Sequence, residues 1–542
     1  MAQLHHCPTE ILDIIIEYLV IRIGIIKAVR LRSVCRAFNV AILDAIIVRQ
    51  VVDSLDPGSP YLWGHMSSDL QAKIAVVKSC SSEVTRTDGL FAIARVNQML
   101  DELTNETDES LLKQRHEAVA EAANPHCTAY GSPDRTYDSK FDSQNILSGA
   151  IIIGNTPVVK SLLTGSQGFP ASLVDAADVN GITPYFGRPL VLAAGCGHTE
   201  IVRYLLDYGA RPDLIGRYST YEPEIEQANS DWEPDLEAAL FHVPFGSGHP
   251  ATAPSALRAA VSGGYTDIVR LLLLAKDRLS PSKTEYLASI VAAATVSVDL
   301  IQMLVQAGEK NLLDMPGLGQ EMLWGAIRYD RKDIIQMLLD TGAADVNQLA
   351  DTYHVTSALQ YAASLGNIGM MHFLLERGAS IHLPEHACGY MYSPVEGAAV
   401  YGHEGAVEFL LERGASPDEA LRGAAKRGEP RVVQWLLDRS PDLLYQENGN
   451  VGRRALFYAV GCRNLTTLTI LVKHGATLND GYQDFGELPI NLAKDRAGFW
   501  VVRHLLSLGA EDTDTEIVQE RDLMTMSSIR ISERTWEWLG KY

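Results

Sequence analysis

The string EIVRYLLDYGA (200–210) returns along the chain as DIVRLLLLAK, DLIQMLVQAG, DIIQMLLDTGA, MMHFLLERGA, AVEFLLERGA, VVQWLLDRS, LTILVKHGA and VVRHLLSLGA, and a worn copy, VVKSLLTGS, begins at Val158. The first leucine of the pair, or its equivalent, falls at 162, 205, 272, 304, 338, 374, 410, 436, 471 and 505. From 272 onward the steps are 32, 34, 36, 36, 26, 35 and 34. Units recurring at that spacing bury their apolar faces against neighbouring copies and not in one central core. The 542 residues are in any case too many for a single core.

Each unit reads as two short helices and a turn. The first helix carries an alanine pair, such as Ala193-Ala194, Ala362-Ala363 or Ala398-Ala399, whose small side chains let neighbouring helices approach closely. The turn reads Gly197-His198, Gly402-His403 or Gly366-Asn367, with glycine suited to a left-handed helix end. The second helix places apolar residues at i, i+1, i+4 and i+5, as in Ile201, Val202, Leu205 and Leu206, which is one buried stripe. It closes at Gly209, Gly342, Gly378, Gly414, Gly475 or Gly509.

On these residues the sequence resembles the ankyrin family over roughly residues 146–511. The resemblance implies an all-α ankyrin repeat solenoid of about ten helix-turn-helix units. The best single unit is RPLVLAAGCGHTEIVRYLLDYGARPD, Arg188 to Asp213. Its opening departs from the family's T-P-L-H: Arg188-Pro189-Leu190-Val191 stands there, and other units read SALQ and SPVE. Irregular fingers between the helix pairs are expected in consequence. The short step from 410 to 436 predicts one shortened finger, because ASPDEALRGAAKRGEP runs almost directly into the next first helix.

The array is expected at 146–511, after a linker at 124–145 and a connector at 49–123, of which 67–123 carry three helical patterns. An acidic insertion occupies about 214–254, and a tail follows at 512–542. Residues 222–237 hold seven acidic side chains (Glu222, Glu224, Glu226, Asp231, Glu233, Asp235, Glu237) and no basic one. That loop is either a docking arm for a basic partner or a solvated insertion.

No catalytic constellation is present in the sequence. HEGAV (403–407) starts like a zinc-protease helix, but Val407 stands where the second histidine belongs. GLGQEM (317–322) lacks the third glycine of a dinucleotide loop. HHC at 5–7 has no further ligands nearby, so neither a metal nor another cofactor is expected. The balance of 46 basic against 67 acidic residues, −21 overall, disfavours nucleic acid as a partner. Asp13, Glu17, Arg22 and Lys27 break the isoleucine-rich opening well before the ~20 apolar residues of a membrane span. Seven cysteines without shared spacing suggest a reducing compartment, cytoplasmic or nuclear.

Binding is the remaining class. Stacked fingers and first helices make a long concave surface. The presumed fingers carry Tyr185, Phe186, Tyr353, Tyr390, Tyr392, Tyr482 and Phe485. These rings are either anchors for a protein substrate or cover for their own irregular fingers.

The opening, CPTEILDIIIEYLVIRIGIIKAVRLRSVCRAFNVAI, belongs to no repeat. It divides into three helical pieces, with Pro8 suited to a first helical position and Gly24 breaking the pattern. It resembles an F-box over about residues 6–46, with Cys7 and Gly24 departing from the usual leucine and acidic residue. The resemblance implies an F-box-like module at 1–48 that binds the Skp-type linker subunit of a cullin–RING ubiquitin ligase. Pro8, Ile11, Leu12, Ile15, Leu19, Ile26, Val29, Val34 and Phe38 are the residues expected at that contact. The competing expectation is an N-terminal cap for the exposed end of the array. The chain is thus expected to be a non-catalytic, intracellular adaptor, monomeric outside its complex.

Overall fold

A computed structural model of the chain describes residues 15–17, 19–20, 36–47, 68–79, 89–123, 138–165, 177–215, 253–309, 311–315, 317–349, 357–383, 392–480, 488–494 and 499–511. It divides into two compact units, Met1–Asp314 and Met315–Tyr542. Among the described residues every regular element is helical, and the sole extended pairing is the isolated bridge between Thr183 and Gly187. No helix among them is long and apolar enough to cross a membrane.

Among its described residues, after helical positions at 15–17 and 19–20, the first unit has α1 (Arg36–Ile47), α2 (Ser68–Ser79), α3 (Gly89–Thr104) and α4 (Glu109–Ala122). The helix pairs described after them are α5 (Asp142–Ile152) with α6 (Thr156–Thr164), α7 (Pro189–Gly195) with α8 (Thr199–Asp207), α9 (Ala256–Ser262) with α10 (Thr266–Leu274), and α11 (Thr284–Ala293) with α12 (Val298–Ala307). First helices pack on first helices in the order α5, α7, α9, α11. The three helical patterns expected across 67–123 are α2, α3 and α4, and α3 packs directly against α5. Gly149 makes that approach close: a Cβ there would stand 2.3 Å from the Val96 side chain.

Among its described residues the second unit holds six pairs: α13 (Leu318–Arg328) with α14 (Lys332–Asp340), α15 (Ala358–Ser364) with α16 (Ile368–Leu375), α17 (Pro394–Val400) with α18 (Glu404–Leu411), α19 (Pro417–Arg427) with α20 (Pro430–Arg439), α21 (Gln446–Gly461) with α22 (Leu465–Lys473), and α23 (Pro489–Leu492) with α24 (Phe499–Ser507). All ten leucines of the sequence repeat lie on second helices and are at most 4% exposed. Burying a leucine contributes roughly 2 kcal/mol, so within each unit the periodic stripe is the chief cohesion between neighbouring helix pairs. α19 starts at Pro417, two residues after Ala415 closes the preceding pair, which is the shortened finger the sequence predicts.

Local chemistry explains the helix ends. Asn155, Ser297, Asn367 and Asn464 cap second helices, each side-chain oxygen accepting a backbone N–H three residues on. The inter-helix turn is left-handed at Gly197 (φ 78°) and Gly402 (φ 74°); Asp330 and Arg463 take the same slot at φ 56° and 59°, where a Cβ is costly. The histidine that follows the turn reaches back one repeat: His198 Nε2 donates to Ile152 O at 3.1 Å and His403 Nε2 to Ser364 O at 2.9 Å. Fingers are clamped by asparagines. Asn180 Nδ2 donates to Gly209 O at 3.1 Å, Asn347 Nδ2 to Gly378 O at 2.9 Å and Asn479 Nδ2 to Gly509 O at 3.4 Å.

One boundary expectation is corrected. The linker at 124–145 does not run to its expected end, because Asp138 caps a short 3-10 turn and α5 starts at Asp142. Gln144 and Asn145 are buried parts of the first pair. The acidic residues 222–237 lie outside the described residues.

Candidate partner-binding face

The missing T-P-L-H residues are replaced in kind. Ser255, Ser357 and Ser393 stand in the threonine slot, and each hydroxyl accepts the backbone N–H three residues on, at 3.2, 3.2 and 3.4 Å. The histidine slot then holds Arg258, Gln360 and Glu396, all buried. Two of these are tied to the next repeat by charge. Arg258 Nη1 donates to Glu285 Oε2 at 3.3 Å, and Ser255 Oγ donates to Glu285 Oε1 at 3.0 Å. Glu396, 1% exposed, accepts from Arg422 Nε (3.1 Å) and Nη2 (2.8 Å) and from Lys426 Nζ (2.8 Å).

In the second unit these polar groups support an aromatic surface on the first helices. Lys426 Nζ lies 4.9 Å from the Tyr392 ring centroid and 5.1 Å from that of Tyr458, a cation held between two rings. Arg454 Nη2 donates to Asp418 and to Glu447, each at 2.9 Å. Burial pushes the Asp418 carboxyl above its usual range, and Arg454 and Arg422 oppose that shift.

The exposed part of the face is a row. Tyr329, Leu365 and Tyr401 each end a first helix, immediately before the left-handed residue of the turn, and they are 48%, 41% and 45% exposed. Because α13, α15 and α17 pack in succession, equivalent positions line up, and exposed Arg427 continues the series on α19. Behind the row, Tyr361 stacks edge-on against Trp324 with ring centroids 6.4 Å apart. Burial pushes the Tyr361 hydroxyl above its usual range; Arg328 acts against this, and Tyr329 and Tyr401 add to it. Apolar bodies with polar donors at their tips are the composition of a protein-binding surface.

The aromatics expected in the fingers fare unevenly. Phe186 is corrected: it is 0% exposed and cannot be a surface anchor. Residues 183–187 close a tight turn, with Thr183 Oγ1 accepting from Phe186 N at 3.0 Å, and the ring goes into the core. Tyr185 and Tyr392 are half-buried. Tyr353, Tyr390, Tyr482 and Phe485 lie outside the described residues. So do Pro8, Ile11, Leu12, Ile26, Val29 and Val34 of the opening segment. Phe38 lies in α1; Ile15 is 42% exposed and Leu19 half-buried, while Ile16 and Val20 face inward. Tyr329, Leu365 and Tyr401 escaped sequence reasoning, although the signal was there: an apolar residue directly before the turn in three consecutive copies.

The ankyrin-repeat family matches this chain in three copies over residues 289–385 and in a single repeat over 188–217. These segments are ankyrin repeats. Ankyrin repeats act in protein–protein interaction, through the surface that their stacked first helices and fingers present. Among solved structures, the human ASB11 ankyrin repeat domain matches at 18% identity, covering 60% of this chain and 99% of that domain, with a TM-score of 0.25. No curated protein matches the chain.

Proposed function

We propose that this chain is a non-catalytic adaptor whose ankyrin repeats hold a protein substrate, and whose opening segment, 1–48, engages the Skp-type linker of a cullin–RING ubiquitin ligase. It works in the cytoplasm, the nucleus or both, and is monomeric outside the complex. The observation that carries the substrate half is the row Tyr329–Leu365–Tyr401: three exposed apolar side chains in register on an ankyrin first-helix face. Aromatic anchors on a rigid scaffold are the usual centres of protein contacts. The ligase half stands on the F-box-like residues from Pro8 to Phe38.

A second reading has a specific observation behind it. α1 packs on α2, Ile42, Ala45 and Ile46 are buried, and the same bundle covers α5 through α3. On that reading the opening segment is a cap and the chain a plain ankyrin scaffold. One experiment separates the two. Leu12→Asp places a charge in a dry contact, at a cost of several kcal/mol. The adaptor reading expects the wild-type chain to capture the Skp-type linker, and the variant to lose capture at least ~100-fold with an unchanged melting curve. Absence of capture by the wild type, with a destabilised first repeat in the variant, establishes the cap.

A further inference from the structure

We infer that Ser280 is a phosphorylation site for a proline-directed serine kinase, singled out by the fold from the other described Ser-Pro and Thr-Pro steps. Among the described residues such steps begin at Thr156, Thr183, Ser280, Ser393, Ser416 and Ser440. Proline suits the first turn of a helix, where its missing N–H goes unused. Pro157, Pro394 and Pro417 stand in the first turns of α6, α17 and α19, and Pro441 opens a 3-10 turn. Thr183 is buried in its finger turn, where the hydroxyl accepts from Phe186 N. Ser393 is buried, and Thr156, Ser416 and Ser440 are half-buried. Those five steps serve the fold.

Ser280-Pro281 opens no helix. It lies in the segment 275–283 that joins α10 to α11, and α11 starts only at Thr284. Ser280 and Ser282 are exposed. The Ser280 hydroxyl lies 2.8 Å from Ser282 Oγ and accepts the Ser282 N–H at 3.3 Å, while Lys283 N–H donates to Ser280 O at 3.0 Å. These are the bonds of one surface turn, which opens at little cost. Leu279, 3% exposed, anchors the chain just before the serine, so an enzyme must read the site forward from Ser280. It meets a pyrrolidine ring with no N–H to bind, and then a cation three residues on, at Lys283. That pattern suits a kinase with an apolar slot after the serine better than one that reads Arg278 before it. In the reaction the Ser280 oxygen bonds to the γ-phosphorus of a nucleoside triphosphate, and the bond from that phosphorus to the bridging oxygen breaks. The hydroxyl proton passes to the kinase's carboxylate base, and the nucleoside diphosphate leaves. The phosphate carries about −2 at neutral pH. The segment holds Lys276, Arg278 and Lys283 against Asp277 alone, so the modification cancels its positive excess.

The test incubates the full chain and magnesium ATP with a proline-directed serine kinase, and in parallel with a kinase selective for arginine before the serine. Site-resolved mass spectrometry follows the phosphate over time. The proline-directed enzyme should modify Ser280 at least ~10-fold faster than Ser416 or Ser440, which carry the same dipeptide where a helical turn begins. Pro281→Ala should slow that reaction at least ~10-fold, and Lys283→Ala several-fold. Ser280→Ala should remove the phosphate from the segment, which excludes Ser282 as the acceptor. Helical circular dichroism and the melting temperature control for folding in each variant. No phosphate on Ser280, equal labelling of Ser416 or Ser440, or a rate indifferent to Pro281→Ala overturns the inference. Labelling that survives Ser280→Ala, or that runs faster with the arginine-reading kinase, overturns it as well. None of these outcomes touches the adaptor reading, because neither the exposed row nor the opening segment enters the reaction.

Discussion

Glu396 is the residue on which the second unit's first-helix face turns. Its carboxylate is 1% exposed and is held by Arg422 and Lys426 from the next repeat, whose side chains are 24% and 22% exposed. Removing one member of a buried pair usually costs about 3–5 kcal/mol because the other charge is stranded. Here both cations can turn to water, so Glu396→Ala should cost less, ~1–3 kcal/mol in a denaturant titration. A loss below ~0.5 kcal/mol, the range of ordinary surface changes, would show the triad to be idle. Cys196 allows a cleaner reading by pH. Burial, with help from the Glu121 carboxylate, pushes its thiol up to about 11. A raised value favours the neutral thiol, so at pH 8 only about one molecule in a thousand carries the reactive thiolate, against about a quarter for an ordinary cysteine. Alkylation followed by site-resolved mass spectrometry should find Cys196 labelled at least ~100-fold more slowly than a free cysteine, with the rate still climbing above pH 10. Rapid labelling at pH 8 would mean that the end of α7 is open to solvent.

Among the elements, the first helices are decided by how closely they approach. Gly423 in α19 would place a Cβ 2.6 Å from Glu396 O in α17, whereas Gly461 at the end of α21 meets nothing within 4 Å. Both glycines lie in helical backbone, and alanine is otherwise favoured there by roughly 0.5–1 kcal/mol. Gly461→Ala should therefore be neutral or slightly stabilising. Gly423→Ala should destabilise by about 1–3 kcal/mol, since the helices must part to admit the methyl group. Paired melting curves read the contrast, and equal shifts would refute the close α17–α19 contact. The alanine pairs that mark each first helix serve the same approach: Ala362, Ala363, Ala398 and Ala399 are all 0% exposed. Their meaning was legible because small residues at a fixed place in a repeat have one economical reading. The buried charges beside them were not legible. A glutamate in the histidine slot is a solvated residue on any local rule, until the next repeat supplies Arg422 and Lys426.

At the scale of the molecule, repeat stability is a sum of unit and neighbour terms, so the ends are the weak points. The first pair, α5 with α6, is covered by α3, whose Val96 and Leu100 close over Gly149. A chain beginning at residue 124 should lose that cover. Hydrogen exchange should then show the amides of 146–163 opening far more readily, while those of the second unit keep their protection. Unchanged exchange at Ile146, Leu147 and Ile151 would mean that the bundle is no cap.

The sequence by itself determined the helix pairs, the left-handed turns at Gly197, Gly366 and Gly402, and the buried leucine stripe. Each depends on residues within a few positions of one another, and repetition averages away local exceptions. Tertiary structure alone decided which aromatic rings meet solvent. Phe186 is buried because residues 183–187 close on themselves, whereas Tyr329, Leu365 and Tyr401 form a row only once α13, α15 and α17 are stacked. Those three lie 36 residues apart in sequence. Exposure at that range is set by the faces of neighbouring repeats, which no pattern inside a single repeat contains.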